Sequence, residues 1–599
     1  MDKIDVSIYL CEYNRQTHCG KCRSCEKQVQ WSKDRLAAHK RASCPSASTE
    51  EKSLFAKRKH ESSQPSSSNQ NENTQTIQDL QQSLTHKANT TSDEWKAQTD
   101  MKLANFFYRT GISLRLVESA AFKDFVNALN PGYASTMPCA KSLSGSLLDK
   151  HFNKCSAAVD EIIDSHENLT LLSDGWTNIR GDHIVNFLVK APDQQAFFYT
   201  SIETSGVIQN SSAVAAAIIE VIEKIGSHKF CSFISDNAPV MRAAWRIIEE
   251  TYPHISANGC VAHGINLLIK DIVSTSEAAK TIKESEKIIK FVKNHHTVKA
   301  MFDERRLTAN VSRSLSLPVA TRWYSLYNSM NNLLLSKYVL MKLADEESDV
   351  LKEIQPRNTT ATVLTLLKSN AFWERLSKLV KDVEFPSNII GKLEADDASL
   401  SLVYDYFIRL FNNYDYDVDI QSKVKSRLQF ILTPAIGLAY LLTPKHAADG
   451  KYFDDDKVDF ITAAYDRAIK LNPEIADKVQ EEIIEYTGEM SALPHKRKDT
   501  LFKMTSKKYW NIVGREKYPT LYRVAKPIVE MICTSAAAER TWSTFRFIHS
   551  RLRNRLSNER VKNLVFLYTN NVLMDEQDRN DYLLDEGAIS NEIECEFVE

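Results

Sequence analysis

The chain has 599 residues, a formal net charge of −1, 43% hydrophobic and 26% charged residues. That length suits three or four domains with conventional cores, and the composition is that of an ordinary globular protein. The longest apolar stretch, near Phe430 to Leu442, is broken by Pro434 and Gly437 and is too short to cross a bilayer. Met1 to Asp5 leads into no sustained apolar run, so neither a secretory signal nor a membrane partner is expected.

The near-zero charge hides a basic front end. Between Arg15 and His60 stand twelve Lys and Arg against four acids, which suits an arm that meets nucleic acid. Five of the eleven cysteines fall between Cys11 and Cys44. In a reducing compartment that crowding reads as metal binding rather than as a disulfide framework. Cys22-Arg-Ser-Cys25 followed by His39 and Cys44 has tetrahedral zinc spacing, with Cys19-Gly-Lys-Cys22 as a competing register. Basic residues beside these ligands, among them Arg35, Lys40 and Arg41, are candidate phosphate contacts.

After this module, residues 1–47, comes a Ser-, Gln-, Asn- and Thr-rich stretch over 48–92 that reads as a flexible linker. Lys57-Arg-Lys59 near its start serves equally well as a nuclear-import signal or as a solvated charge run. Residues 93–160 read as a helical region with apolar positions such as Leu103, Phe106, Phe107 and Leu114, taken as a DNA-binding and dimerisation segment. Strands are then expected at Leu169–Ser173, Ile184–Val189 and Ala196–Ile202. A helix carrying Val214, Ile218, Val221 and Ile225 leads to a strand at Phe230–Ser235, and a short fifth strand lies near His254 to Cys260. This first part of a core spans 161–268. A large all-helical insertion follows over 269–519, helices over 520–575 return to the core, and 576–599 is an acidic tail.

Two acids sit where the first and fourth core strands are expected to end: Asp174 in Ser173-Asp-Gly-Trp-Thr177 and Asp236 in Ser235-Asp-Asn-Ala238. Taken singly, Asp-Gly is a turn signal and Asp236 suits a helix N-cap. Side by side, two carboxylates repel unless a cation lies between them. A third, Glu539, sits in the helical pattern around Ala536-Ala-Ala-Glu-Arg540. Three such acids can hold two Mg²⁺ or Mn²⁺ ions for phosphoryl transfer.

These blocks resemble those of hAT-superfamily transposases, and the likeness runs from about Ala104 onward. The two aspartate blocks are followed by Cys260-Val-Ala-His263 with Asn266-Leu267 and by Thr321-Arg-Trp323. Ala536-Ala-Ala-Glu-Arg540 with Ser543 and Arg551-Leu-Arg-Asn-Arg-Leu-Ser557 then resemble the C-terminal dimerisation block. Any one block is weak; six in the right order are specific. The N-terminal module resembles a BED-type zinc finger, although only Tyr9 and Tyr13 offer themselves for the upstream aromatic pair.

The resemblance implies a multidomain α+β protein. A small zinc finger precedes a ribonuclease H-like α/β catalytic core that is interrupted by the all-α insertion and completed by C-terminal helices. Asp174, Asp236 and Glu539 would be a metal-holding DDE triad. His263 would meet the scissile phosphate, and Cys260 would line the site or simply position it. Trp323 would stack on a flipped base, with Arg322 on a phosphate, although a core role for the tryptophan is as good a reading. Arg551, Arg553 and Arg555 form either a DNA-backbone contact or a solvated basic face. The implied protein is a nuclear transposase that cuts double-stranded DNA at transposon ends and works as a homodimer or a higher homo-oligomer. The alternative is a domesticated relative that binds DNA without cutting it.

Overall fold

The computed structural model describes residues 10–14, 19–23, 25, 27–30, 39 and 44 near the N-terminus. It describes 93–574 apart from 179, 206–209, 320–322, 347–350, 352–353, 355–356, 396–397, 414–415, 454, 495–497, 499–500 and 550–555. The chain divides into two compact units, Met1–Ala88 and Asn89–Glu599. In the first, β1 (Leu10–Asn14), β2 (Cys19–Cys22) and β3 (Gln28–Gln30) form an antiparallel three-stranded sheet in sequence order. A turn closed by Cys22 N–H on the Lys27 carbonyl at 2.9 Å joins the last two strands. The linker and the acidic tail expected from the sequence lie outside the described residues.

The second unit opens with helices α1 (Asp93–Thr110), α2 (Ala120–Leu129) and α3 (Ser146–Asp164). In α3, Leu148, Cys155, Val159 and Ile163 recur at helical spacing and are buried on one face. Next come β4 (Leu169–Thr177), β5 (His183–Lys190), β6 (Ala196–Glu203), α4 (Ser211–Ile225), β7 (Phe230–Ser235), α5 (Pro239–Thr251), β8 (Ser256–Gly259) and α6 (Val261–Val273). The five strands form one mixed sheet ordered β6-β5-β4-β7-β8. β4, β5 and β6 are antiparallel neighbours, whereas β7 and β8 add in parallel. All six residues of β7 are buried, as its near-continuous apolar sequence requires of a central parallel strand.

Every strand expected from the sequence is present, and one difference bears on the site. β4 does not stop at Ser173 but runs three residues past Asp174 to Thr177. Its antiparallel ladder with β5 continues through Thr177↔His183, while its parallel ladder with β7 ends at Leu172↔Ile234. Asp174 therefore lies inside a strand on one side and beyond the last rung on the other.

The rest is helical. α7 (Ser276–Asn294), α8 (His296–Thr308), α9 (Trp323–Leu335), α10 (Asn370–Leu393), α11 (Val418–Ile431), α12 (Asp456–Leu471), α13 (Ala476–Ala492) and α14 (Pro519–Glu530) contribute to one continuous apolar core. α15 (Ala536–Ile548) and α16 (Asn558–Met574) instead contribute to the core of the sheet. Among the described residues no helix is long and apolar enough to cross a membrane.

Side chains from the helices reach both ends of the sheet. On the β6 edge the buried Asn570 of α16 imitates a strand. Its Oδ1 accepts from Phe198 N–H at 3.0 Å, and its Nδ2 donates to the Phe198 carbonyl at 2.7 Å. On the β8 side the buried Arg467 of α12 donates to Ser256 Oγ at 2.6 Å and to the His254 carbonyl at 3.1 Å. Thr433 adds a 2.6 Å bond to Asn258 Oδ1. The helical region is thereby fastened to the sheet by polar contacts as well as by packing.

Candidate metal centres

In the N-terminal unit, Cys22, Cys25, His39 and Cys44 bring their ligand atoms within 4.8 Å of one another. Cys22 ends β2, Cys25 lies in the turn before β3, and His39 and Cys44 are tied by Cys44 N–H on the His39 carbonyl at 2.8 Å. The sulfurs of Cys22 and Cys44 are 4.0 Å apart, and Cys25 Sγ is 3.3 Å from His39 Nε2. Tetrahedral zinc with bonds of about 2.3 Å to sulfur separates two thiolates by about 3.8 Å, so the spacing suits that ion. Four ligands complete the set with Cys25 in it, and the register through Cys19 is not needed. Arg35, Lys40 and Arg41 lie outside the described residues.

In the second unit, the strand register brings two acids level. Asp174 and Asp236 each stand two residues beyond the last parallel rung, Leu172↔Ile234, Asp174 still within β4 and Asp236 just past the end of β7. Neighbouring strands run about 4.8 Å apart, and the two acids are near enough for the charge of Asp236 to act on the Asp174 carboxyl. Each is half-buried. Burial, chiefly, and the charge of Asp236 push the Asp174 carboxyl up to about 6, against hydrogen bonds from the Trp542 indole and Gly175 that hold it down. Asp236 Oδ1 accepts from Ala238 N–H at 3.0 Å, which orients its carboxyl as the chain turns into α5.

Glu539 lies on α15, the helix that is bonded to the Asp174 side chain. Trp542, one turn further on and on the same helix face, donates its indole N–H to Asp174 Oδ2 at 2.8 Å. Its ring stacks on Trp176 of β4, with centroids 5.3 Å apart. Glu539 is exposed while its neighbour Ala538 is buried, so the carboxylate stands at the surface of an otherwise packed helix.

Cys260 and His263 occupy the β8–α6 junction. Cys260 is fully buried (0% exposed), and its thiol lies 3.5 Å from Thr534 Oγ1 and accepts from Ser535 N–H at 3.5 Å. Val261 N–H adds a 3.0 Å bond to the Cys533 carbonyl. Burial pushes the Cys260 thiol up and the Glu539 charge adds to that. Of the two roles open from sequence, the contacts favour positioning: the cysteine anchors the segment from which α15 starts. His263 lies half-buried in the first turn of α6. Trp323 begins α9, but its side chain and all of Arg322 fall outside the described residues, as do Arg551, Arg553 and Arg555.

Three contributors were missed in the sequence. Asn186 of β5 accepts from Asp174 N–H at 3.1 Å and donates to the Ala538 carbonyl at 2.9 Å. Asn237 donates to the Cys260 carbonyl at 2.9 Å, crossing the space beside Gly259, where any Cβ would overlap its amide. Trp542 reads in the sequence only as an apolar helix position. The available signal was polarity in the wrong place, since an amide inside a buried strand or next to a strand end must be bonded to something.

Comparison with known families finds three matches in chain order. Residues 138–289 match a domain of unknown function (DUF659), 259–378 match the ZBED1 RNase-like helical domain, and 485–570 match the hAT family C-terminal dimerisation region. A search of curated proteins returns no match. The first match holds Asp174 and Asp236, and the third holds Glu539. Together with the Cys/His cluster, they show hAT-family, transposase-related domains within the chain.

Proposed function

We propose that this protein is a metal-dependent hAT-type DNA transposase with a ribonuclease H-like core split by its helical insertion. It would cut transposon ends by a nick, a hairpin on the flanking end, and strand transfer into target DNA. The observation that carries this is the register of β4 and β7, which sets Asp174 level with Asp236 at the end of the neighbouring strand, with the Glu539 helix bonded to the Asp174 side chain. An all-oxygen donor set suits Mg²⁺ or Mn²⁺. The raised Asp174 value supports this, because a buried carboxyl beside another favours a cation that neutralises both.

Bound there, two ions would activate the attacking oxygen and stabilise the leaving one. The chain's own contribution is arrangement. Asp174 within β4 and Asp236 just past β7 would hold the ions, Glu539 would complete the set from α15, and His263 would meet a phosphate. Arg322, Trp323 and the arginines at 551, 553 and 555 are proposed DNA contacts. Zinc on Cys22, Cys25, His39 and Cys44 would fold the N-terminal unit, where Arg35, Lys40 and Arg41 would meet phosphates. The matched dimerisation region supports a homo-oligomer, and a chromosomal DNA substrate would place the protein in the nucleus.

The test is to incubate the purified protein with duplexes copied from the DNA flanking its own gene, with Mg²⁺ or Mn²⁺. Nicks and hairpins at a repeat boundary, absent with Asp236→Ala, are expected. Tight binding without cleavage in both proteins would identify instead a transposase-derived DNA-binding regulator.

A further inference from the structure

β5 reads His183-Ile-Val-Asn-Phe-Leu-Val-Lys190, apolar but for the amide in its middle. Asn186 is 0% exposed. Burying an amide is unfavourable unless both of its ends are bonded, and here each end goes to a different element. The ladder sets Asn186 opposite Asp174, and its Oδ1 accepts the Asp174 N–H at 3.1 Å. Its Nδ2 leaves the sheet and donates to the carbonyl of Ala538 at 2.9 Å. That carbonyl belongs to the residue just before Glu539, in the first turn of α15.

A helix held on a sheet by apolar side chains alone can rotate or slide by fractions of an ångström at little cost. A directed hydrogen bond to one helix carbonyl removes that freedom at one place. The place chosen is the peptide that carries Glu539, and the other end of the bridge is the peptide that carries Asp174.

We propose that Asn186 is a positioning residue that fixes the height and rotation of Glu539 relative to Asp174, and through them sets the affinity of the acidic site for divalent cations. The inference rests on the reading of those acids as metal ligands. Outer partners of metal ligands typically control affinity by roughly 10- to 100-fold.

The test compares wild type with Asn186→Asp, which keeps the acceptor for Asp174 N–H but places an oxygen against the Ala538 carbonyl, and with Asn186→Leu, which removes both bonds. Full-length protein is titrated with Mn²⁺ and with Mg²⁺, and the rise in Tm is followed against ion concentration. Half-saturation should move to at least roughly tenfold higher concentration in both variants, with the full rise recovered at excess ion. A lower Tm at every concentration with wild-type half-saturation would mark a purely structural residue and overturn the proposal. If Asn186→Leu does not fold, Asn186→Asp decides alone. No ion-dependent rise in the wild type, together with no cleavage of DNA, would remove the metal-site reading itself. A wild-type rise left unchanged by the variants removes only the role of Asn186.

Discussion

The indole Nε1 of Trp542 donates to Oδ2 of Asp174 at 2.8 Å, joining two residues 368 positions apart. This single bond crosses the whole helical insertion in sequence and ties the Glu539 helix to the strand that bears the first acid. It also opposes the burial that raises the Asp174 carboxyl. Trp542→Phe keeps an aromatic ring on Trp176 but removes the donor. We expect a loss of about 1.5–3 kcal/mol in denaturant unfolding, the range for a hydrogen bond to a charged group. Asp174 should then titrate higher still, so cleavage should fall more at pH 6 than at pH 8. A uniform loss across the pH–rate profile would show that the indole does not act through the carboxyl.

Asp174 itself should make the metal-free protein less stable as pH rises. Its folded value of about 6 lies above the ordinary aspartate value of 3.8, so between these the native state binds more protons than the unfolded chain. Stability from this group is therefore complete below the lower value, falls as pH rises, and is gone above the higher one. The shift sets an upper bound of about 3 kcal/mol. Asp174→Asn cannot ionise and retains an acceptor for Trp542. In Mg²⁺-free buffer it should be about 1–3 kcal/mol more stable than wild type at pH 8 and equal to it near pH 4, while cleaving no DNA. Thermal melts across that range check the sign.

How much of this was legible in the sequence follows from what each signal depends on. Strand positions came from local apolar runs, and β7 falls at Phe230–Ser235 as read. The end of β4 was misplaced because Asp-Gly reads as a turn, whereas the partner strand β5 extends the ladder past it through Thr177↔His183. Cys25 entered the zinc set from spacing alone, but the choice against Cys19 needed the fold of the turn after β2. Asn186 and Asn237 carry no local signal of role, because their partners Ala538 and Cys260 are fixed only by tertiary packing.

The zinc register gives a separate prediction. Cys25→Ser should lose the N-terminal ion, because the remaining three ligands leave the tetrahedron open. Cys19→Ser should retain one zinc per chain, since Cys22, Cys25, His39 and Cys44 already supply four ligands. Metal analysis of the two purified variants decides between the registers. Zinc retained by Cys25→Ser and lost by Cys19→Ser would reverse the assignment.

Gly259 offers the sharpest steric test of the junction below the acidic site. It closes β8 where Asn237, next to Asp236, reaches across to the Cys260 carbonyl at 2.9 Å. A methyl group at 259 would overlap the Asn237 amide and press on the Trp245 ring. Backbone dihedrals do not single this glycine out, so the constraint is the close approach alone. In Gly259→Ala the amide must leave its carbonyl, and overpacking plus a lost buried bond should cost about 2–4 kcal/mol. Because Asn237 follows Asp236 directly, that displacement should also disturb the second acid. Gly259→Ala combined with Asn237→Ala should then recover part of the stability, since the clash is gone, while cleavage stays low. Full recovery of cleavage in the double variant would show that the asparagine amide has no part in holding Asp236.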